Sequence, residues 1–275
     1  MEQATETLNM AEPKNSASLR SSEAPCYTVL DLFSGIGGFS LGLERAGGFR
    51  TIAFCEWEEH ARKILRKHWP DVPIFEDVRT LHGTDICGPV DVICGGFPCQ
   101  DLSCAGKQKG FGGERSSLYI EMLRLISECL PRYAIFENVP NLLAGDGGRW
   151  FAKFLYDLAA VGYDAEWHCI PASSLGADHQ RDRVWVIAYP SKNGDTGLQE
   201  PHYRKDEEGE ERARFADKLF DLLRGWRPLH GRADSEPDIC RIVDGFPGGM
   251  DRLARLGNAV VPQVVELLGR CIRAV

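Results

Sequence analysis

The sequence has no apolar run near the ~20 residues that a membrane-spanning helix needs, and its mean hydropathy is −0.26. An integral helical membrane protein is excluded on that count. No basic stretch followed by an apolar core stands near the N-terminus, so no secretory signal is expected. Without secretion, the ten cysteines read as reduced thiols in a cytoplasmic protein, not as a disulfide framework. None falls in CxxC spacing. Cys94, Cys99 and Cys104 recur every five residues without companion histidines, so no metal site is expected. Positive charge is not in excess either: 32 Lys and Arg face 40 Asp and Glu, for a net charge of −8. That argues against a uniformly basic nucleic-acid coat, although a basic cleft can sit on an acidic body. Hydrophobic residues at 43% and charged residues at 26% exclude collagenous and wholly disordered chains.

What is present is a 275-residue chain long enough for one large domain with a smaller insertion. Residues 1–24 are polar and aperiodic and are expected to form a flexible leader. From Tyr27 onward, short apolar runs alternate with helical patterns. The runs are Tyr27–Phe33, Thr51–Cys55, Val90–Cys94, Tyr133–Phe136 and Val184–Ala188. The helical patterns are Phe39–Ala46, a stretch with Ala61, Ile64, Leu65 and His68 on one side, Ser117–Leu130 and Trp150–Val161. This alternation predicts an α/β fold with a mostly parallel sheet and helices on both faces. Unbroken apolar runs suit strands buried on both sides. The first and main domain is placed at 25–189. A charge-rich region, 190–248, interrupts the pattern and reads as a small insert. Residues 249–275, with a stripe of Val261, Val264, Val265, Leu268 and Ile272, read as a return to the first domain.

Between the first strand and first helix lies Asp31-Leu32-Phe33-Ser34-Gly35-Ile36-Gly37-Gly38. Glycines at such a turn let a ligand approach the backbone, and the helix start offers unpaired N–H groups. The third glycine of GxGxxG is replaced by Ser40, so the pyrophosphate fingerprint is incomplete. Glu56 follows the second strand, where a carboxylate can bind ribose hydroxyls. Asp77 follows the apolar stretch Val72–Phe75. Acids after successive strands suit an adenosine ligand over the strand ends. A second loop, Gly95-Gly96-Phe97-Pro98-Cys99-Gln100, directly follows a strand. Cys55 and Cys94 read as small core residues. Cys99, flanked by glycines, proline and polar residues, is placed like a nucleophile. The glycine- and lysine-bearing stretch Ser103–Gly113 looks like a lid.

These motifs together resemble those of the cytosine-5 DNA methyltransferases. The resemblance rests on Asp31–Gly38, Gly95–Gln100, Glu137-Asn138-Val139, Gln180-Arg181-Asp182-Arg183 and Gly257-Asn258-Ala259-Val260-Val261-Pro262, in the family's order. It spans about 27–189 and 249–275. It implies a Rossmann-like S-adenosylmethionine-dependent methyltransferase fold with a small target-recognition insert, of bacterial or phage type. It implies Cys99 as the nucleophile, Glu137 as the acid at the base, Arg183 at the base carbonyl and Arg181 as its brace. It implies S-adenosylmethionine as cofactor, held by Asp31, Leu32, Phe33, Gly35, Gly37, Glu56, Trp57, Asp77, Pro98 and Asn258. The implied partner is double-stranded DNA with the target cytosine flipped out of the stack. A cytoplasmic monomer is expected, with no membrane or metal partner, and a companion restriction endonuclease is compatible with this type.

Three other readings compete. A tRNA cytosine methyltransferase would share the fold, and the short variable region of about 60 residues allows it. A silent DNA-binding paralogue would ordinarily lack the Pro-Cys or Glu-Asn-Val residues, and both are kept. A nicotinamide oxidoreductase is opposed by the incomplete GxGxxG and by the Pro-Cys loop. The body's motifs are taken up by cofactor, base and lid, which leaves 190–248 to read neighbouring base pairs. Its Arg224, Trp226, Arg227, His230, Arg232 and Arg241 are separate from the acidic run Asp206–Glu211 and suit groove edges and phosphates. Exchanging 190–248 for the matching region of a relative with a different target is expected to move the methylated site, as bisulfite sequencing would show. An active chimera that keeps the original site would place the determinants elsewhere.

Overall fold

The computed structural model describes residues 26–98, 118–177, 181–191, 215–225 and 260–274. Five strands run parallel: β1 (Tyr27–Leu32), β2 (Phe49–Cys55), β3 (Ile74–Phe75), β4 (Val92–Gly95) and β5 (Tyr133–Asn138). β6 (Tyr163–Pro171) and β7 (Asp182–Pro190) form an antiparallel pair, and β7 lies antiparallel to β5. The order across the sheet is β3-β2-β1-β4-β5-β7-β6. The helices are α1 (Gly38–Ala46), α2 (Glu59–His68), α3 (Tyr119–Cys129), α4 (Asn141–Ala144), α5 (Arg149–Ala160), α6 (Phe215–Gly225) and α7 (Pro262–Ala274). Among the described residues no helix is long and apolar enough to cross a membrane.

Alternation along the strands divides the core into two layers. Leu30, Leu32, Ile93, Ala134, Phe136, Val184 and Val186 face one layer, with Met122, Leu125 and Ile126 of α3 and Phe154 and Leu158 of α5. Val29, Val92, Cys94, Ile135, Trp185 and Ile187 face the other, with Phe39 and Leu43 of α1 and Val265, Leu268 and Ile272 of α7. Burial on both faces is why the strands read as apolar runs. Leu219 of α6 is buried in the second layer, so this part of the 190–248 segment packs on the body.

Three sequence expectations change in detail. β6 was not anticipated. It is an edge strand whose Asp164, Trp167 and Cys169 are exposed, so its side chains carry no clean apolar period. β5 and β7 are longer than their apolar runs and take Glu137, Asn138, Asp182 and Arg183 into the sheet. On α2 the buried face is Ala61, Arg62 and Leu65, whereas His68 is exposed. A charged residue on that face was passed over, because apolar spacing does not register an arginine.

Helices α1 and α7 are distant in sequence and touch almost backbone to backbone. A Cβ added at Gly42 would stand 2.5 Å from the carbonyl oxygen of Pro262 and 2.5 Å from Cβ of Val265. Neither is the end of a flexible side chain. Gly42→Ala is therefore expected to destabilise the protein by about 1–3 kcal/mol, although helix propensity alone would favour alanine by about 1 kcal/mol. Urea unfolding measures the sign directly. An unchanged or higher midpoint would contradict this packing.

Candidate active site at the strand ends

The order of the sheet reverses at β1, whose neighbours are β2 and β4. A crevice forms at such a point, outside the carboxyl ends of the strands. The loops after β1, β2, β3 and β4 open there and carry Phe33, Gly35, Gly37, Glu56, Trp57, Asp77 and Pro98, whereas Asp31 and Leu32 end β1, Glu137 lies in β5 and Arg183 in β7.

On the β1–β3 side, the Asp31 carboxylate is fully buried and accepts hydrogen bonds from the Ser40 N–H at 3.2 Å and the Ser40 hydroxyl at 2.7 Å. It ties the strand to the first turn of α1. Burial pushes its pKa up to about 7, against the lowering effect of Ser40. The Leu32 side chain is buried in the core. Phe33 adopts a positive φ of 52°, and Gly35 (54°) and Gly37 (88°) continue the left-handed turn. Open space lies around the position of a Gly35 Cβ, whereas Gly37 lies against Trp69 and Leu65. Glu56 spans the loops: its Oε2 accepts from the Gly35 N–H at 2.7 Å and its Oε1 from the Glu58 N–H at 2.8 Å. Trp57 is 69% exposed. Asp77 is engaged by Arg79, whose Nη2 lies 2.7 Å from Oδ2 and Nε 2.9 Å from Oδ1. This hydrogen bonding holds the Asp77 carboxyl below its usual range. The Arg79 guanidinium in turn lies 5.7 Å from the Trp57 ring centroid. The turn after Asp77 is fastened to α3 by Arg124, whose Nη2 donates to the carbonyls of Val78 (2.9 Å) and Leu81 (2.8 Å).

On the β4–β7 side, Glu137 and Arg183 meet by register. Glu137 pairs with Trp185 across β5 and β7, so Arg183, two residues before Trp185, points to the same face. Arg183 Nε lies 2.9 Å from Glu137 Oε1. Glu137 is 8% exposed. Burial raises its pKa, while Arg183 and then Arg181 oppose the rise. Arg181 is shifted the other way: burial and the neighbouring Arg183 lower its pKa, and Glu137 raises it. Gly96 lies against this carboxylate, and a Cβ there would stand 2.9 Å from Glu137 Oε2. Asn138 Nδ2 donates to the Phe97 carbonyl at 3.3 Å, which ties the end of β5 to the turn that leads to Pro98. Cys99, Asn258, Gln180 and the expected lid at Ser103–Gly113 lie outside the described residues, as do the leader 1–24 and most of 190–248.

This arrangement sets an acid-capable carboxyl and two cations at one side of the crevice. On the other side it sets a carboxylate, an exposed aromatic ring and a glycine turn. A family model for C-5 cytosine-specific DNA methylases matches residues 27–226. The chain belongs to this family. It is 38% identical over 164 residues to the type II methyltransferase M.Eco47II of Escherichia coli, covering 59% of this chain and 39% of that one. It is 41% identical over 163 residues to M.PspPI of Psychrobacter, covering 58% and 39%. Against M.HpaII of Haemophilus parainfluenzae it is 32% identical over 198 residues, covering 70% and 53%. The chain thus spans about two fifths to one half of the length of these curated relatives. Among solved structures, a prophage-encoded Escherichia coli protein assigned as a DNA modification methyltransferase superposes with a TM-score of 0.60. The superposition covers 90% of this chain and 98% of that one at 21% identity. The fold of this C-5 cytosine-specific DNA methylase family member is that of the S-adenosylmethionine-dependent methyltransferases, with a mostly parallel seven-stranded sheet.

Of the expected residues, the structure brings Glu137, Arg181 and Arg183 together, and separately Gly35 with Glu56 and Trp57 with Asp77 through Arg79. Sequence reasoning passed over Asn138 as a tie, and it missed Arg62, Arg79 and Arg124 altogether. Arg62 lies three residues before Leu65 on the buried face of α2, but an arginine there carries no apolar signal.

Asp31 yields a pH test. Its folded pKa is raised from 3.8 to about 7, so the native chain retains a proton that the unfolded chain releases. Its contribution is intact below about pH 4 and is lost as pH rises towards 7. Glu137 acts in the same direction, so the informative quantity is a difference. Asp31→Asn is expected to flatten the fall of unfolding free energy across this window relative to wild type, measured by denaturant titration at each pH. Parallel pH profiles would contradict the assignment.

Proposed function

We propose that this protein is a DNA cytosine-5 methyltransferase that uses S-adenosylmethionine. The observation that carries the reading is the desolvated Glu137 carboxyl beside Arg183 and Arg181, at the strand end that Asn138 ties to the Phe97 carbonyl. The residues of the other side fit the cofactor. Glu56 at the end of β2 suits ribose hydroxyls, the exposed Trp57 ring and Phe33 suit an adenine face, and Asp77 suits its amino group. Leu32, Gly35, Gly37 and Asp31 build the turn between them, and the resemblance adds Pro98, after β4, and Asn258 to the proposed set.

When bound, S-adenosylmethionine supplies an electrophilic methyl group on its sulfonium sulfur. In the proposed sequence the Cys99 thiolate adds to carbon 6 of a cytosine held outside the duplex stack. Glu137, kept protonatable by burial, gives a proton to ring nitrogen 3 as charge builds there. Arg183 donates to the base carbonyl and opposes that charge, with Arg181 bracing it. Carbon 5, now enamine-like, takes the methyl group, while the sulfur–methyl bond breaks with its electron pair left on sulfur and S-adenosylhomocysteine is the leaving group. A base then removes the carbon 5 proton, the bond from Cys99 to carbon 6 breaks, and nitrogen 3 returns its proton to Glu137. Double-stranded DNA is the proposed substrate and 190–248 the proposed reader of its site. The protein is read as a cytoplasmic monomer, and a companion restriction endonuclease is compatible with this reading.

Expression in a methylation-free host followed by bisulfite sequencing tests this reading. Wild type is expected to leave 5-methylcytosine at one sequence context. Cys99→Ser is expected to leave none. Glu137→Gln, which can donate a hydrogen bond but transfer no proton, is expected to slow turnover by about 10²–10⁴-fold while cofactor binding is kept. Unmethylated host DNA with wild-type protein, or full activity of either variant, would overturn it.

A further inference from the structure

Arg62 is a buried cation that no step of the proposed chemistry uses. It stands in the first turn of α2, and its side chain is only 9% exposed. A buried guanidinium needs acceptors, and those of Arg62 belong to two different loops. Nη1 donates to the carbonyls of Glu56, at 3.1 Å, and Trp57. Nη2 lies 3.1 Å from Oε1 of Glu76, the residue before Asp77. The loops after β2 and β3 leave the sheet side by side, with the Glu56 N–H donating to the Phe75 carbonyl at 2.9 Å. Arg62 therefore fastens the backbone of Glu56 and Trp57 to the start of the Asp77 turn.

The links close into a circuit. Arg62 holds the Trp57 carbonyl, Arg79 lies over the Trp57 ring, Arg79 binds Asp77, and Glu76 returns to Arg62. The buried member of this circuit is Arg62, while Glu76, Arg79 and Trp57 are mostly solvent-exposed. An exposed ion pair alone would hold little. A guanidinium shielded from water, with its fork divided between two loops, holds more.

We infer that Arg62 is a positioning residue for the cofactor: it sets the distance between the ribose-binding carboxylate of Glu56, the ring of Trp57 and the carboxylate of Asp77. The inference rests on the proposed binding of S-adenosylmethionine at these residues. It makes Arg62 a determinant of cofactor affinity without contact to the cofactor. Its loss loosens both loops in the free protein, so binding must order them again.

The test measures cofactor affinity and turnover on the full chain. Calorimetry with S-adenosylhomocysteine and initial rates with S-adenosylmethionine are taken for wild type, Arg62→Met, Arg62→Lys and Glu76→Gln. Arg62→Met is expected to raise Kd and KM by about tenfold and to leave kcat at saturating cofactor within about twofold. Arg62→Lys, which keeps the charge but not the fork, falls between. Glu76→Gln, at a 67% exposed side chain, leaves the fold intact and raises Kd by a smaller factor. A merely structural role would lower the unfolding midpoint of Arg62→Met and leave KM at the wild-type value, which overturns the inference. Should Arg62→Met fail to fold, unchanged affinity in Glu76→Gln overturns it. Failure of wild type to bind either ligand would instead overturn the proposed function itself.

Discussion

The site depends on a carboxyl group kept away from water while two cations stand beside it. Glu137 is inside β5, so its position is fixed by sheet hydrogen bonds and not by a loop. The antiparallel register of β7 then decides which side chain it meets. A shift of one residue would put Asp182 or Val184 on that face instead of Arg183. The balance between desolvation and the two guanidinium groups holds Glu137 above its ordinary pKa. A carboxyl so held can give up a proton to a ring nitrogen, which a solvated glutamate at neutral pH does poorly.

The two layers of the core serve that placement. Helices α1 and α7 cover the face on which Asp31, Glu137 and Arg183 lie, and α3 and α5 cover the other. α1 begins at the glycine turn and is fastened back to β1 through Ser40 and Asp31. α7 presses on α1 so closely that glycine is required between them. Helix α7 thereby supports the glycine turn, a packing constraint that no local motif expresses.

Much of this was legible in sequence. Parallel strands buried on both faces produce unbroken apolar runs, and the glycine turn and Pro-Cys loop stand at their ends. Glu137 and Arg183 were found through their motifs, but their pairing is a matter of register across strands separated by about 45 residues. The edge strand β6 was missed because its exposed faces relax the demand for apolar side chains. Arg62 was missed because buried cations follow no hydropathy period. Its importance lies in which carbonyls it reaches, and that is decided by two adjacent strand ends.

The central claim is a covalent attack by Cys99 on a cytosine activated by Glu137. Incubation with S-adenosylmethionine and duplex DNA carrying 5-fluorocytosine at the methylated position tests it most directly, because fluorine cannot leave as a proton. A stable protein–DNA adduct is predicted, with the base mapped to Cys99 by peptide mass and absent from Cys99→Ser. An adduct on another cysteine, or turnover of the fluorinated duplex without any adduct, would contradict the account.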